Sequence, residues 1–179
     1  DGEAIGITGF FRDISERKKM ETELHRKDKV LFAVAMSIEQ LFYSDSVDET
    51  IPFCLEEIGK SAGADRVYLF RNYSADDGNL FSTQTDEWTK DEIPSQMGSP
   101  YTTYVPLDSV PELLNAGLRK RIFSGVVSTF ASHLKDALEP QGIKSIMIIP
   151  IHLNNQFWGF VGFDDCTKER IWSEAEKNI

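Results

Sequence analysis

The sequence has few cysteines, a shortage of basic side chains and no long hydrophobic run. Only two cysteines occur among its 179 residues, Cys54 and Cys166, with no Cys-x-x-Cys spacing. We therefore predict reduced, structural thiols in a cytoplasmic domain, with a disulfide between them as the alternative. Nineteen basic residues stand against 29 acidic ones, and the net charge of −10 disfavours nucleic acid as a partner. No apolar segment approaches a membrane span and no signal peptide is evident, so we expect no direct membrane contact.

The residues of familiar catalytic motifs are missing as well. There is no nucleophile-elbow serine, no phosphate-cradling glycine loop and no phosphoacceptor box of a kinase. The three histidines, His25, His133 and His152, have no metal-ligand spacing, and no two carboxylates are spaced for acid–base work. We accordingly predict a domain that is not itself an enzyme and that holds no metal.

A strongly apolar stretch, residues 142–165, is the feature around which the other elements can be placed. Residues 145–151 are apolar at nearly every position, which predicts a central strand covered on both faces. Asn154 and Asn155 tolerate the left-handed backbone of a two-residue turn. Residues 156–165 should therefore return as the partner strand of an antiparallel hairpin, although a longer loop is the alternative.

Three small or rigid residues predict the irregular places in this hairpin. Gly159 and Gly162 leave room for a helix, a neighbouring backbone or a ligand, because they remove the side chain from a crowded surface. Pro150 cannot donate to a strand ladder, so it should mark a bulge or a local edge. Simple alternation places Phe157 on the same face as Phe163.

The middle of the chain begins with a helix whose start is ambiguous. Ser46 and Glu49 have the spacing of a capping box, and Gly63 should end the helix. Pro52 conflicts with a start at Ser46, so either Asp48 is the true cap or the helix kinks.

Strands and short helices then follow. Residues 65–73 predict the first strand of the main sheet, residues 80–88 a strand toward an edge, and residues 89–106 a long loop. Two short helices and one more strand lead into the hairpin. The order predicts an α+β fold with a central antiparallel sheet and helices on both faces.

The start of the chain has a composition that favours a strand over residues 4–11 and a helix from Ser15. The informative positions at this junction are Gly6, Gly9, Phe10, Arg12, the run of residues 13–18, Glu21 and Leu24. Together they resemble the exit of a PAS sensory domain, with Ser15 where that family usually has Thr. Because one strand cannot build a core alone, the resemblance implies that residues 1–14 are the remnant of a PAS domain's last strand and that residues 15–30 form a linker helix.

The helix from Ser15 carries two apolar series with a period of seven. They consist of Leu24, Leu31 and Ile38, and of Met20, Val34 and Leu41 with a polar interruption at Lys27. Such series suit a parallel homodimer, whose predicted seam is Met20, Leu24, Leu31, Val34 and Ile38. The alternative is an exposed helix whose later half packs on its own domain, because from Leu31 onward the apolar stripe widens to include Ala35 and Phe42.

The second resemblance covers most of residues 31–179. Its fragments, in order, are Leu55, Ile58 and Gly59; residues 63–70; residues 142–145; Pro150 and Ile151; residues 158–165; and Arg170, Trp172 and Glu176. They resemble a GAF domain that ends within its last helix. The resemblance implies an antiparallel sheet of about six strands, a helical pair on one face used for dimerisation, and a small-molecule pocket on the other. It also implies a parent sensor, most often a histidine kinase of a two-component system, and less often a diguanylate cyclase or phosphodiesterase.

The signatures of three GAF subfamilies are incomplete in this sequence. Of the spaced Asn-Lys-Phe-Asp-Glu signature of cyclic-nucleotide binders, only Phe163 and Asp164 are found, with Asp165 in place of Glu. Bilin binders attach the chromophore through a cysteine beside a histidine, and neither Cys54 nor Cys166 has such a neighbour. Members that reduce methionine sulfoxide need a set of cysteines that two residues cannot complete. The cofactor is therefore left unknown.

We predict a sensory module that binds an unidentified small molecule, dimerises through its N-terminal helices, or does both. The residues expected to line the pocket are Tyr68, Phe70, Trp88, Phe123, Ile148 and Pro150. The same residues would serve equally as ordinary core, because one sheet face must bury aromatic side chains of this size. The alternatives for the domain are a ligand-free dimerising spacer and a small-molecule enzyme on the same scaffold.

Overall fold

The protein is represented by a computed structural model that describes residues 2–44, 46–76 and 78–177, with side chains outside the description at residues 2–16, 19, 23, 26, 41, 174 and 175. Its helices are α1 (Gly2–Tyr43), α2 (Val47–Ala62), α3 (Pro111–Leu118), α4 (Ser132–Leu138) and α5 (Glu174–Lys177). Its strands are β1 (Arg66–Ser74), β2 (Leu80–Thr89), β3 (Val105–Pro106), β4 (Phe123–Val126), β5 (Ser145–Leu153) and β6 (Gln156–Asp165). The predicted α+β class is confirmed.

The six strands form one antiparallel sheet in the order β3-β2-β1-β6-β5-β4. The predicted hairpin, β5 and β6, lies inside the sheet, and β1 is central as well. Asn154 and Asn155 form the two-residue turn with φ of 50° and 63°, the left-handed backbone that lets the turn follow the twist of its strands.

The hairpin contains one bulge that alternation alone did not predict. Ile151 pairs with Gly159, whereas His152 pairs with Phe157, so Trp158 is the extra residue on β6. The bulge moves Phe157 to the face that holds Phe160, and its predicted position beside Phe163 is therefore wrong. Pro150 lies at a local edge as predicted, because β4 pairs with β5 only as far as Ile148.

The sheet separates two hydrophobic cores because successive side chains of a strand point to opposite faces. The helix-face core lies under α1 and α2 and contains Val30, Leu55, Ala62, Ala64, Val67, Met147, Phe163 and Trp172. The pocket-face core lies under α3 and α4 and contains Tyr68, Phe70, Val127, Ile143, Ile146, Ile148 and Phe160.

Helix α2 settles the ambiguity over its first residue. The side chain of Ser46 accepts a hydrogen bond from the backbone N–H of Glu49 at 3.4 Å, and Pro52 lies inside the helix. Ser46 is thus the cap, and the alternative start at Asp48 is wrong. Pro52 is exposed, where water is available to the backbone carbonyl that proline leaves without a partner. Gly63 ends the helix with φ of 59°.

The N-terminal segment differs from its prediction. Residues 4–11 belong to α1, so the predicted strand is wrong. A strand needs a neighbour to pair its backbone groups, whereas a helix satisfies them within itself. The PAS origin of residues 1–14 and the division into linker and domain stay predictions.

The face that α1 packs on its own domain is also not the predicted one. Val30, Ala33 and Ser37 are buried, while Ala35 and Phe42 are exposed. Small residues at 33 and 37 lie on the buried face of α1, which packs on α2, and most of the larger apolar side chains of α1 are exposed.

Candidate functional site

A cavity of about 80 Å³ lies in the pocket-face core, between the sheet and a cover made of α3, α4 and the segment that follows β2. Its apolar wall consists of Phe70, Val105, Leu107, Val110, Leu113, Ala137, Leu138, Ile143, Ile146, Ile148 and Phe160. Its polar lining consists of Arg66, Tyr68, Ser82, Gln84, Tyr101 and Gln141. An apolar enclosure with a few convergent polar groups is the usual form of a small-molecule site.

The floor of the cavity is built from aromatic side chains of two neighbouring strands, β1 and β6. The Phe70 and Phe160 rings stack with centroids 4.8 Å apart, and the Tyr68 ring meets Phe70 edge-on at 5.5 Å. Gly162 makes this possible, because a Cβ there would lie 2.0 Å from the Tyr68 ring. Gly162 was predicted to make room for a helix, a neighbouring backbone or a ligand, and the space is instead filled by the ring of Tyr68.

A buried ion pair closes one end of this floor. Arg66 Nε and Nη2 donate to Asp164 Oδ2 at 2.9 and 2.7 Å, and the Tyr68 hydroxyl donates to Asp164 Oδ1 at 3.0 Å. Arg66 and Asp164 are 1% and 0% exposed. Paired β1 and β6 residues supply both partners, since Arg66 faces Asp164 across the ladder.

The environment of this pair shifts the pKa values of its members. Burial raises the pKa of Asp164 to about 6, although the charge and hydrogen bonds of Arg66 oppose the shift. Burial, reinforced by the Asp164 carboxylate, raises the pKa of the Tyr68 hydroxyl well above its usual range. At neutral pH the site therefore contains a guanidinium, a carboxylate and a neutral phenol.

The same arginine connects the floor to the cover. Its Nη1 donates to the Pro94 carbonyl at 3.4 Å and its Nη2 to the Gln141 carbonyl at 3.5 Å. Glu87, whose side chain is 3% exposed, lies 3.9 Å from Arg66 Nε. Glu87 also accepts hydrogen bonds from the Ser95 hydroxyl and from the Gln96 backbone N–H at 3.1 Å. Arg66 thus contacts the sheet, the segment after β2 and the turn before β5.

The residues predicted to line a pocket separate into three groups. Tyr68, Phe70 and Ile148 lie together in the cavity wall, and Phe123 packs against the same core. Pro150 is not in the wall, because it lies two residues beyond Ile148 near the end of β5. Trp88 lies on the opposite face, where it packs against the helix-face core and its ring lies over Gly59 of α2.

The sequence reasoning missed most of the polar members of the site. Arg66 and Gln84 were not among the predicted lining residues, and Asp164, weighed as a carboxylate that could flank a pocket, was expected to be solvated at the end of its strand, whereas it is buried. The sequence did contain a signal for Arg66 and Asp164. Each is a charged residue near one end of a largely apolar strand, and such a residue requires a partner when it is buried. Gln84 gave no such signal, since it lies within a continuous run of polar residues, 82–87, in β2.

A second, larger cavity of about 250 Å³ lies on the helix face. Its wall includes Val34 of α1, Ile58 of α2, Ile149 of β5 and Trp172, and is almost wholly apolar. Within the described part of the chain, the buried Trp172 Nε1 has no hydrogen-bond partner. Fewer polar groups converge here than in the pocket-face cavity, so we take the latter as the candidate ligand site.

Comparison with known proteins bears on the family. The family model of the GAF domain matches residues 46–179, the region that contains α2, the whole sheet and both cavities. The chain belongs to the GAF family.

Relatives of this GAF domain agree with that assignment. The methanogenesis regulatory histidine kinase FilI of Methanothrix harundinacea (strain 6Ac) is 35% identical over 182 residues, which cover 99% of this chain and 20% of that protein. The chain therefore spans about a fifth of the length of this relative.

Solved structures share the fold. A biliverdin-bound protein in its far-red absorbing dark state superimposes with a TM-score of 0.68 at 16% identity, over 82% of this chain and 89% of that one. The phycocyanobilin-bound GAF domain of a cyanobacterial phytochrome gives 0.66 at 20% identity, over 82% and 85%. The chromophore-binding domain of Stigmatella aurantiaca bacteriophytochrome gives 0.64 at 12% identity, over 83% and 55%. The predicted GAF-like architecture is confirmed.

The cysteines of this GAF domain lie away from the candidate site. Cys54 is on α2, where its thiol lies 3.9 Å from the Ser37 carbonyl of α1. Cys166 directly follows β6, and burial raises its pKa to about 12. Neither lines the pocket-face cavity. Both are free thiols, so the predicted reduced state agrees with the structure and the disulfide alternative does not.

The described residues form neither a membrane-spanning helix nor a cluster of metal ligands. None of the helices they form has the length and apolar character needed to cross a membrane. Likewise, over residues 2–44, 46–76 and 78–177, no three His, Cys, Asp or Glu side chains are grouped to hold a metal ion.

The predicted seam positions on α1 are mostly turned outward. Met20, Leu24, Leu31 and Ile38 are exposed, whereas Val34 packs against the helix-face core. At about 100° per residue, Met20, Leu24, Leu31, Ala35, Ile38 and Phe42 fall within about 60° of one another around the helix axis. We call this set the outer stripe of α1.

Proposed function

We propose that this GAF domain is a non-catalytic sensory module that binds a small molecule in the pocket-face cavity and influences an output domain through α1. The observation that carries the proposal is the largely apolar cavity that has Arg66, paired with the buried Asp164, in its wall. The similarity to a regulatory histidine kinase supports a kinase as the parent protein. A cytoplasmic location for the parent's GAF domain is part of the same proposal.

The contacts of Arg66 suggest how binding would be sensed. This residue joins the cavity floor to the cover through the Pro94 and Gln141 carbonyls, and both bonds are at the long limit of hydrogen-bond length. A ligand that competes for these donors would favour one position of the cover over another. Such a preference between two states is what a ligand needs in order to transmit a signal.

The output route would run across the sheet to α1. Val30 and Ala33 of α1 are buried against the domain, while the outer stripe on the other side of the helix is free to contact a second copy. We propose a homodimer formed through this stripe, because a row of large apolar side chains along several turns is typical of a helical interface. A shift of the sheet would then alter the packing of the two helices.

Native mass spectrometry of the purified 179-residue protein tests ligand binding most directly. We expect a small molecule that co-purifies with the wild type and is lost from Val105→Trp, because Val105 lies in the cavity wall and a larger side chain there fills the space. Leu118→Trp is the matched control, since Leu118 is exposed on α3. A co-purified molecule that both variants retain would contradict binding in this cavity.

A ligand-free dimerising spacer is the second candidate, and the outer stripe is the observation in its favour. It predicts a dimer whose dissociation constant is unchanged by Val105→Trp. An enzyme that uses Cys166 is disfavoured, because a thiol with a pKa of about 12 is not a thiolate nucleophile at neutral pH. The enzyme hypothesis requires that the Cys166→Ser variant lose the ability to turn over its substrate.

A further inference from the structure

The pocket-face cavity also restricts the class of molecule that it can take, and this restriction rests on the proposed function above. Its volume of about 80 Å³ is roughly half that of a cavity known to hold benzene, about 150 Å³, and well below the usual 300–1,000 Å³ of drug-sized sites. A cavity of this volume therefore fits a molecule with a short body of only a few non-hydrogen atoms.

The charges around the cavity disfavour an anion. Arg66 is the only charged side chain in the described cavity wall, and its Nε and Nη2 already donate to Asp164. A second buried carboxylate, Glu87, lies 3.9 Å from Arg66 Nε. One positive and two negative charges are thus already in place. A third carboxylate would be desolvated beside them without a free cation to balance it.

A cationic ligand meets the opposite difficulty. Asp164 is enclosed behind Arg66 and Tyr68, which occupy its two oxygens, and it does not reach the wall of the cavity. An ammonium group would therefore face the guanidinium directly. Since either sign of charge is disfavoured, the ligand should be uncharged.

Two of the polar groups in the cavity wall, Arg66 and Gln84, suit such a ligand. Among the described residues, Arg66 Nη1 donates to the Pro94 carbonyl alone, at 3.4 Å, so a ligand carbonyl or hydroxyl oxygen can compete for it. Gln84, which is 6% exposed, donates its Nε2 to Met97 Sδ at 3.1 Å. Within the part of the chain that the structure describes, no hydrogen bond to Gln84 Oε1 is found, so a ligand N–H or O–H has an acceptor there.

We propose that the pocket-face cavity binds a small uncharged molecule that carries a hydrogen-bond acceptor and a donor on a short apolar body, as a short-chain carboxamide or alcohol does. The acceptor contacts Arg66, the donor contacts Gln84, and the apolar body lies on Ile148 and Phe160.

Three probes of matched size test this proposal with the 179-residue protein: propionamide, propionate and propylammonium. Binding is measured by titration of the methyl NMR signals of Ile146 and Ile148, which line the cavity. We expect propionamide to shift these signals with an affinity at least about tenfold higher than that of either charged probe, a difference of about 1.4 kcal/mol.

Two variants identify the contacts. Gln84→Met should weaken propionamide binding by about five- to tenfold, the effect of losing roughly one hydrogen bond, whereas Gln156→Met at the exposed start of β6 should leave it unchanged. Propionate binding as tightly as propionamide, or more tightly, overturns the proposal but leaves the proposed function intact. If none of the three probes shifts the Ile146 and Ile148 signals, the proposal fails together with ligand sensing in this cavity.

Discussion

At the residue scale, the decisive feature is a buried charged pair, at a place where hydrophobic side chains would pack without the cost of desolvating two charges. Two ions taken out of water lose hydration free energy, and their mutual attraction offsets only part of that loss. Arg66 and Asp164 recover part of this loss through a two-point contact and through the hydroxyl of Tyr68. Removing one partner should therefore destabilise the folded state by far more than the intact pair stabilises it.

Arg66→Met leaves the buried Asp164 carboxylate without its cation. We expect the free energy of unfolding, measured by urea denaturation, to fall by about 3–5 kcal/mol. Arg121→Leu is the control, because Arg121 is exposed and its loss should change stability by less than about 0.5 kcal/mol. The double variant Arg66→Met/Asp164→Leu should recover part of the loss, since no buried charge remains. A double variant as unstable as the sum of the two single variants would contradict this account.

The raised pKa of Asp164 gives stability a specific pH dependence. Because the folded-state pKa of about 6 exceeds the ordinary value of 3.8, the folded protein binds the proton more tightly than the unfolded chain. The contribution of Asp164 is thus fully present below pH 3.8 and is lost as pH rises through about 6. Asp65 and Glu176, whose pKa values are lowered overall despite burial, act in the opposite direction.

The difference between wild type and Asp164→Asn separates Asp164 from those other carboxylates. We expect the unfolding free energy of the wild type relative to this variant to decrease between about pH 4 and about pH 7. Carboxyl ¹³C NMR should show Asp164 titrating near pH 6. Titration at or below its ordinary value would show that attraction to Arg66, rather than burial, dominates.

At the element scale, the β5–β6 hairpin shows how backbone details place the site. Strand β6 approaches β1 closely at Gly159, where an added Cβ would lie 2.1 Å from the Phe70 carbonyl oxygen. The bulge at Trp158 turns Phe157 toward the pocket-face core, where its ring lies against Gly117 of α3. The hairpin therefore supplies part of the cavity floor and also positions the cover.

Gly159→Ala tests the close approach of these two strands. The contact is with a backbone atom, which cannot move without disturbing β1, so we expect a loss near the upper end of the roughly 1–3 kcal/mol seen for overpacking. Gly125→Ala is the comparison, because its Cβ would meet the Phe130 ring, a side chain beside an edge strand. Thermal and urea unfolding should show the smaller loss for Gly125→Ala. Equal losses would mean that the ring is as fixed as the backbone.

At the scale of the whole molecule, α1 presents one face to its domain and a different apolar face to the outside. Leu24 is 60% exposed, Ile38 49% and Phe42 84%. Contiguous apolar surface of this kind on a protein usually marks an interaction site. Under the proposed function, this outer face of α1 is the surface through which the signal would pass to a second copy.

The variant Leu24→Lys/Leu31→Lys places two charges on the outer stripe. We expect sedimentation velocity to show at least about a tenfold weaker dimer, since burying an unpaired charge at an interface is costly. The control Thr22→Lys/Gln40→Lys adds the same charge about half a turn away around the helix, at exposed positions, and should dimerise normally. An unchanged dimer in the Leu24 and Leu31 variant would exclude this stripe as the interface.

The sequence by itself determined the hairpin, its turn and the end of α2, because these features depend on local spacing and backbone preference, which are present in the chain before it folds. The GAF architecture came from the resemblance of its ordered fragments to that family. Alternation along the strands even brought three of the predicted lining residues, Tyr68, Phe70 and Ile148, into one wall.

Only the tertiary structure decided which face each remaining side chain occupies. The bulge reassigned Phe157, and pairing with Val67 placed Trp88 on the helix face. Packing on α2 and the sheet buried Val30, Ala33 and Ser37 in place of the larger apolar residues of α1. The pairing of Arg66 with Asp164 joins positions 98 residues apart. Such contacts depend on register and on long-range partners, and neither composition nor periodicity contains that information.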